Sequence, residues 1–318
     1  MPTPIFSWHQ QLWEDFMRRI VQNRVPHALL LYGQAGSGKL QFGLALAELR
    51  LCTTANSSST ASTPSPTACG ECSSCKLFRA GTHSDFTLLQ PEEGKSILSV
   101  DAMREMVAGA AYTPQISPRR VVVINPAESM NRNSANSLLK TLEEPPGDTN
   151  IILISHTPSM LLPTIRSRCQ QIAFPPPSSA EAAQWLQEQG VSAEEVAEVL
   201  QLAEGAPLHA LTLASSDQRE HNKLMGEELN ALQRGQANPI KVAYRWANKK
   251  NDPVLTLRWL QQRVVSIIKT AYKVESPASQ QLFLFLDKVN ESLSLANSPL
   301  NKELMFETLL LDWSKLRS

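Results

Sequence analysis

Four cysteines stand close together in the chain: Cys52, then Cys69, Cys72 and Cys75 at two-residue spacings. In a reducing compartment, clustered cysteines more often bind metal than pair as disulfides. Thiolates are soft ligands, and short spacers let neighbours converge on one ion, so the set fits a tetrahedral Zn2+ site. Two alternatives stay open at this level. One is four buried thiols without metal. The other is an iron–sulfur cluster, although the ferredoxin-like run needs a different spacing and a following proline. His83 offers a further donor, but four cysteines already complete the shell, which favours a structural or capping role for it. A closed four-cysteine site leaves no position for a substrate, so its expected role is structural. Cys169 stands apart and reads as a small buried apolar residue.

A second group is Gly33-Gln34-Ala35-Gly36-Ser37-Gly38-Lys39-Leu40, which follows a strand-like run and opens a helix. This is the G-x-x-x-x-G-K pattern in its required context. Gly33, Gly36 and Gly38 would let backbone N–H groups turn around phosphate, and Lys39 would balance its charge. The next position should carry a hydroxyl for magnesium, and here it is Leu40. The next core strand of a hydrolase normally ends in an Asp for magnesium, often followed by a Glu. Here Val121–Ile124 runs into Asn125-Pro126, with Glu128 two residues further on. Efficient hydrolysis is not expected. ATP binding stays open, and the competing reading is a glycine-rich turn that merely connects strand to helix.

The third group is Arg166-Ser167-Arg168-Cys169, just before the strand-like run Gln171–Phe174. An exposed arginine on a P-loop-type domain has a planar fork that can meet the γ-phosphate bound by a neighbour. On pattern alone, an ordinary surface ion pair is the favoured reading.

The elements that would position these groups follow from periodicity. Residues 28–32, 86–89, 121–124 and 151–154 are short apolar runs, and the last two are uninterrupted and mostly β-branched. Such runs suit strands covered on both faces of a parallel sheet. Between the last two, Ala135, Leu138, Leu139 and Leu142 recur at helical spacing, and Pro145-Pro146 stops the helix. The alternation predicts a doubly wound α/β domain ending near Phe174. After Pro175-Pro176-Pro177 the β-type runs disappear. Two short helices are expected over 180–189 and 193–204. Longer ones are expected over 217–234, 240–248, 254–272, 276–297 and 302–316. No internal repeat is visible. In Thr53–Ala68, 10 of the 16 residues are Ser or Thr, which cannot bury a core and reads as an excursion out of the metal module.

Composition bounds the partners. Of 318 residues, 42% are hydrophobic and 19% charged, enough apolar material for a sizeable core. Lys plus Arg and Asp plus Glu are 30 each, so a chain-wide electrostatic grip on nucleic acid or anionic lipid is not expected. No run has the length of a membrane span, and the first residues lack the layout of a signal peptide, so a soluble cytoplasmic protein is the expectation.

The run Leu138-Leu139-Lys140-Thr141-Leu142-Glu143-Glu144-Pro145-Pro146, followed by Thr164-Ile165-Arg166-Ser167-Arg168-Cys169, resembles the AAA+ clamp-loader subunits of bacterial DNA polymerase III. Arg24-Val25-Pro26-His27-Ala28, the four-cysteine insertion and Ala80-Gly81-Thr82-His83-Ser84-Asp85 bring it nearest to the members that do not hydrolyse ATP. These motifs span Pro26 to Phe174, and 297–311 resembles the family's last collar helix and its lead-in. The resemblance implies an AAA+ α/β domain with a zinc module (1–174), a small helical lid (175–215) and an all-α collar (216–318). It implies a hetero-pentameric ring with gamma/tau motor subunits and a delta subunit, which opens the beta sliding clamp and loads it on primed DNA. In that ring this chain would be a rigid stator. Cys52, Cys69, Cys72 and Cys75 would hold zinc, and Arg168 would reach the ATP of the adjacent motor subunit, which reverses the odds from pattern alone. In Gly205-Ala206-Pro207-Leu208-His209, Leu208 stands where motor subunits carry a sensing arginine. The competing functions are a motor subunit that hydrolyses ATP itself and an independent zinc-ribbon nucleic-acid binder. Leu40, Asn125-Pro126 and Leu208 weigh against the first, and the neutral net charge against the second.

Overall fold

Five strands form where the apolar runs lie: β1 (Ala28–Tyr32), β2 (Phe86–Leu89), β3 (Arg120–Ile124), β4 (Thr149–Ser155) and β5 (Gln170–Ala173). The computed structural model describes residues 5–22, 24–57, 67–92, 97–110, 112–248, 253–271, 278–295 and 301–316. The strands pair in the order β2-β3-β4-β1-β5, and every pairing is parallel. Leu30 pairs with Leu153 of β4 and with Gln171 of β5, so β1 lies inside the sheet.

Along β1, β3 and β4 the side chains alternate between two separate cores, while β5 at the sheet edge buries only Ile172 of its four residues. On one face, Leu30, Val122, Ile124, Ile151 and Leu153 pack with Met103, Leu138 and Leu142. On the other, Leu29, Leu31, Val123, Ile152 and Ile154 pack with Trp13, Phe16, Phe42 and Leu46. The helices responsible are α1 (Gln10–Val21), α2 (Lys39–Leu51), α3 (Thr53–Ser57), α4 (Ser73–Arg79), α5 (Val100–Ala110), α6 (Arg132–Glu143) and α7 (Pro163–Arg166). α1 and α2 cover one face and α5 and α6 the other, which is the doubly wound arrangement the uninterrupted runs predicted. All seven residues of β4 are buried. Helix α6 starts where the Asn131 side chain accepts a hydrogen bond from Ser134 N, an N-cap.

The chain divides into two units, Met1–Glu188 with Gly205–His209, and Gln189–Glu204 with Ala210–Ser318. The first contains the sheet and α8 (Ser179–Glu188). The second is helical: α9 (Ala193–Leu202), most of α10 (Pro207–Leu213), α11 (Ser216–Gln233), α12 (Pro239–Trp246), α13 (Pro253–Ala271), α14 (Ala278–Leu295) and α15 (Lys302–Lys315). Sequence periodicity missed α10, a short helix opened by Pro207. Of the Ser/Thr-rich stretch, 53–57 is helix α3, while 58–66 lies outside the described residues. Residues 272, 276, 277, 296 and 297 of the expected helices, and 297–300 of the collar lead-in, also lie outside them.

The helical unit has its own core, built around Trp246, Leu260, Val289, Phe306 and Trp313. The indole N–H of Trp246 donates to Glu228 Oε2 at 2.7 Å and that of Trp313 to Leu229 O at 3.1 Å, so neither buried donor is orphaned. No described helix is long and apolar enough to cross a membrane. Phe306 is fully buried and meets the Trp246 ring edge-on at 5.9 Å. Phe306→Ala is expected to destabilise this unit by about 3–5 kcal/mol, read as a lower urea midpoint in equilibrium unfolding.

Candidate functional site

The loop after β1 turns on glycines, and the protein's own groups pack against it. Gly36 and Gly38 have φ of 74° and 96°, conformations that a side chain disfavours. A Cβ on Gly33 would lie 2.4 Å from Phe174 O, and one on Gly38 would lie 2.6 Å from the Phe6 ring. Leu208 N donates to Gly36 O at 3.1 Å, and the Trp8 indole N–H donates to Ser37 O at 2.9 Å. The glycines thus admit the protein's own backbone and rings to close range.

Lys39 is only 2% exposed. Its ammonium donates to Gly33 O at 2.8 Å and Gln34 O at 2.5 Å, with Ser37 Oγ at 3.5 Å. Burial lowers its pKa to about 8, opposed by the Glu128 carboxylate. Beside it, Phe6 stacks on Trp8 at 4.6 Å, and both meet Trp185 of α8 edge-on. This aromatic cover was not legible in the sequence. The signal was Phe6 and Trp8 flanking Ser7, but only the fold brings Trp185 to them.

The strand that would carry a hydrolase's acidic pair ends without one, and the nearby Glu128 is engaged through one oxygen only, its Oε2 being buried without a hydrogen-bond partner. β3 ends at Ile124 and continues into a cis Asn125–Pro126 peptide. Glu128 Oε1 accepts hydrogen bonds from His156 N at 2.8 Å and Thr157 N at 3.2 Å. That carboxylate holds the turn after β4, which answers the direction the sequence left unset.

His9 is 1% exposed, between the Phe42 and Phe174 rings, and neither ring nitrogen has a hydrogen-bond partner. Burial, with Lys39 adding repulsion, pulls its pKa from 6.5 to about 4.

The four cysteine sulfurs converge: all lie within 4.8 Å of one another, with Cys52–Cys72 and Cys69–Cys75 at 4.0 Å. Tetrahedral zinc with bonds near 2.3 Å requires sulfurs about 3.8 Å apart, so the donor set fits such an ion. Backbone N–H groups point at the sulfurs, among them Ala55 and Cys69 toward Cys52, Cys72 toward Cys69, and Cys75 toward Cys72, at 3.4–3.5 Å. Such donors stabilise thiolate charge and orient ligands. Burial raises the Cys52 and Cys75 thiols. Burial also acts upward on Cys72, but hydrogen bonds from Thr53 and from Cys75 N outweigh it and hold this thiol at about 5.

His83 is not a ligand. Its Nδ1 accepts from Asp85 N at 3.0 Å, which leaves Nε2–H to face Ser74 Oγ at 2.8 Å and Ser117 Oγ at 3.2 Å. Both hydroxyls donate to Leu51 O at 2.7 Å. The Asp85 carboxylate accepts from the N–H groups of Gln115, Ile116 and Ser117 at 2.8–2.9 Å. Cys169 is buried, and burial pushes its thiol up to about 12, as suits an inert apolar filler.

Arg168 lies between α7 and β5, away from the loop's own contacts. Its Nε donates to Glu143 Oε1 at 2.6 Å, Nη2 pairs with the same carboxylate, and Nη1 donates to Thr164 O at 3.0 Å. Its side chain is 34% exposed.

A doubly wound P-loop domain without hydrolytic acids, bearing a four-thiolate cluster and followed by a helical unit, is the architecture of an AAA+ clamp-loader subunit. The family model described as "DNA polymerase III, delta subunit" matches residues 8–178, and the chain belongs to that family. Within it the chain is delta-prime-like. It is 35% identical to DNA polymerase III subunit delta' of Pseudomonas aeruginosa over 98% of both chains. It is 35% identical to the delta' subunit of Escherichia coli over 66% of this chain and 62% of that protein. A gamma subunit-related protein of DNA polymerase III from Thermotoga maritima superposes with a TM-score of 0.52 at 18% identity, covering 95% of this chain and 98% of that one, so the two share a fold.

Two outcomes are expected. Purified protein carries about one zinc per chain by elemental analysis, and chelation lowers its melting temperature, because metal affinity adds to folding free energy. His9 is neutral in the fold and takes up a proton more readily when unfolded. Its contribution is therefore complete above its ordinary pKa of 6.5 and is lost as pH falls toward about 4. The loss reaches ~3 kcal/mol at about 1.4 kcal/mol per pH unit. His9→Gln is expected to flatten that part of the stability–pH profile, followed by tryptophan fluorescence in urea.

Proposed function

We propose that this chain is the non-hydrolysing stator of a replicative clamp loader and that it donates Arg168 to the ATP held by a neighbouring motor subunit. In this reading residues 1–174 are the AAA+ domain, 175–215 the lid and 216–318 the collar that holds a hetero-pentameric ring of gamma/tau and delta subunits. The ring opens the beta sliding clamp and delivers it to primed DNA. Zinc bound by Cys52, Cys69, Cys72 and Cys75 is structural, since four thiolates complete its shell.

The observation that carries this reading is the state of the phosphate loop. Lys39 is kept and donates to Gly33 O and Gln34 O, so the turn of the P-loop is retained. Leu40 offers magnesium no oxygen, and Glu128 already accepts two backbone N–H groups. A domain that keeps the P-loop shape without these parts has no route to its own hydrolysis. The pairing of Arg168 with an exposed carboxylate fits the ordinary ion-pair role as well. Its place in the Ser167-Arg168-Cys169 motif of a clamp-loader chain favours the trans role.

The isolated chain is expected to turn over no ATP in a phosphate-release assay. Arg168→Ala should leave folding and ring assembly intact while lowering DNA-stimulated ATPase of the reconstituted complex. An arginine finger is worth roughly 10³–10⁵ in rate at its own site, diluted in the total by the other sites. Unchanged turnover in a complex of verified composition would overturn the trans role.

A further inference from the structure

Glu143 is the last residue of α6, where the partial negative charge of the helix end disfavours a carboxylate. Glu144, the helix C-cap, and then Pro145-Pro146 follow, so the position ends the helix. A carboxylate at this point works against the helix that carries it. Its contact is with Arg168 alone among the described residues: Nε at 2.6 Å, with Nη2 on the same oxygen. Glu143 is 50% exposed and Arg168 34%. A pair this open to water contributes about 0–1 kcal/mol, so fold stability does not account for it.

Geometry does. Guanidinium carries five N–H donors in a rigid plane. Glu143 takes one from Nε and one from Nη2, and Thr164 O takes one from Nη1 at 3.0 Å. Two contacts to Glu143 on one side and one to the backbone on the other set the plane and leave two donors, enough for a forked contact to phosphate. Arg166, two residues earlier, has no such arrangement: its Nε is buried without a hydrogen-bond partner. The cradle is specific to Arg168.

We infer that Glu143 is a positioning residue for the trans arginine, a carboxylate that fixes the Arg168 guanidinium plane so that its two remaining N–H donors face outward to the phosphate of an adjacent subunit. This rests on the proposed role of Arg168. Preorganised donors act without reorganising at the moment of reaction, and a small misplacement of such a group costs rate rather than binding.

The test is a set of four variants in the reconstituted clamp loader: Arg168→Ala, Glu143→Ala, Glu143→Gln and the Arg168→Ala/Glu143→Ala pair. Assembly and melting temperature are checked first, and both are expected unchanged. Glu143→Ala should then lower the kcat of DNA-stimulated ATP hydrolysis by half or more of the loss seen for Arg168→Ala, with KM for ATP unaltered. Glu143→Gln, which keeps an acceptor oxygen, should restore part of it. In the Arg168→Ala background, Glu143→Ala should do nothing further, since a positioning residue has nothing left to position. If Arg168→Ala lowers turnover while Glu143→Ala does not, or if the two losses multiply, the inference on Glu143 fails and the arginine's role stands. If Arg168→Ala itself changes nothing, the role beneath it fails as well.

Discussion

A lysine ammonium with almost no access to water must be surrounded by oxygen, and here the oxygens belong to the loop that encloses it. Lys39 draws the carbonyls of Gly33 and Gln34 inward. Carbonyls and N–H groups are different atoms of the same turn, so these contacts satisfy the cation without using the loop's N–H donors. The rings of Phe6 and Trp8 pack beside the loop, and the Trp8 indole N–H meets another of its carbonyls at Ser37 O. Leu40 gives the loop no hydroxyl, and the nearby Glu128 carboxylate organises the turn after β4.

The inner strands alternate their side chains between two cores, so a shift of β1, β3 or β4 by one residue would turn an entire apolar set toward the wrong layer. The thiolate cluster is tied to the same body. Leu51 O, at the end of α2, accepts from Ser74 and Ser117, and His83 bridges both hydroxyls from the other side. These contacts join neutral groups, so they persist across the salt range in which surface ion pairs weaken.

Much of this was readable from the chain. Val121–Ile124 and Ile151–Ile154 could hardly be anything but covered parallel strands, because β-branched runs without polar interruption have no solvent face to offer. The glycines and Lys39 named the loop, and the cysteine spacing named the cluster. What escaped were contacts between residues far apart in the chain. Nothing local announces that Trp185 meets Phe6, that Asp85 gathers the N–H groups of residues 115–117, or that Glu143 faces Arg168 across 25 positions. Periodicity reports which face of an element is apolar. It does not report which polar atom waits opposite, and the site is made of such pairings. α10 was missed for a simpler reason: seven residues after a Gly-Ala-Pro turn are too few to display a helical stripe.

One element joins the two halves of the site. Helix α2 begins with Lys39 inside the loop and ends where Cys52 caps it inside the thiolate cluster. Thirteen residues at about 1.5 Å each make it a strut of roughly 20 Å. Its flanks are packed throughout, with Phe42, Leu46, Leu49 and Leu51 all buried. A helix packed along its whole length thus ties the thiolate cluster and the lysine-bearing loop to one body of the fold.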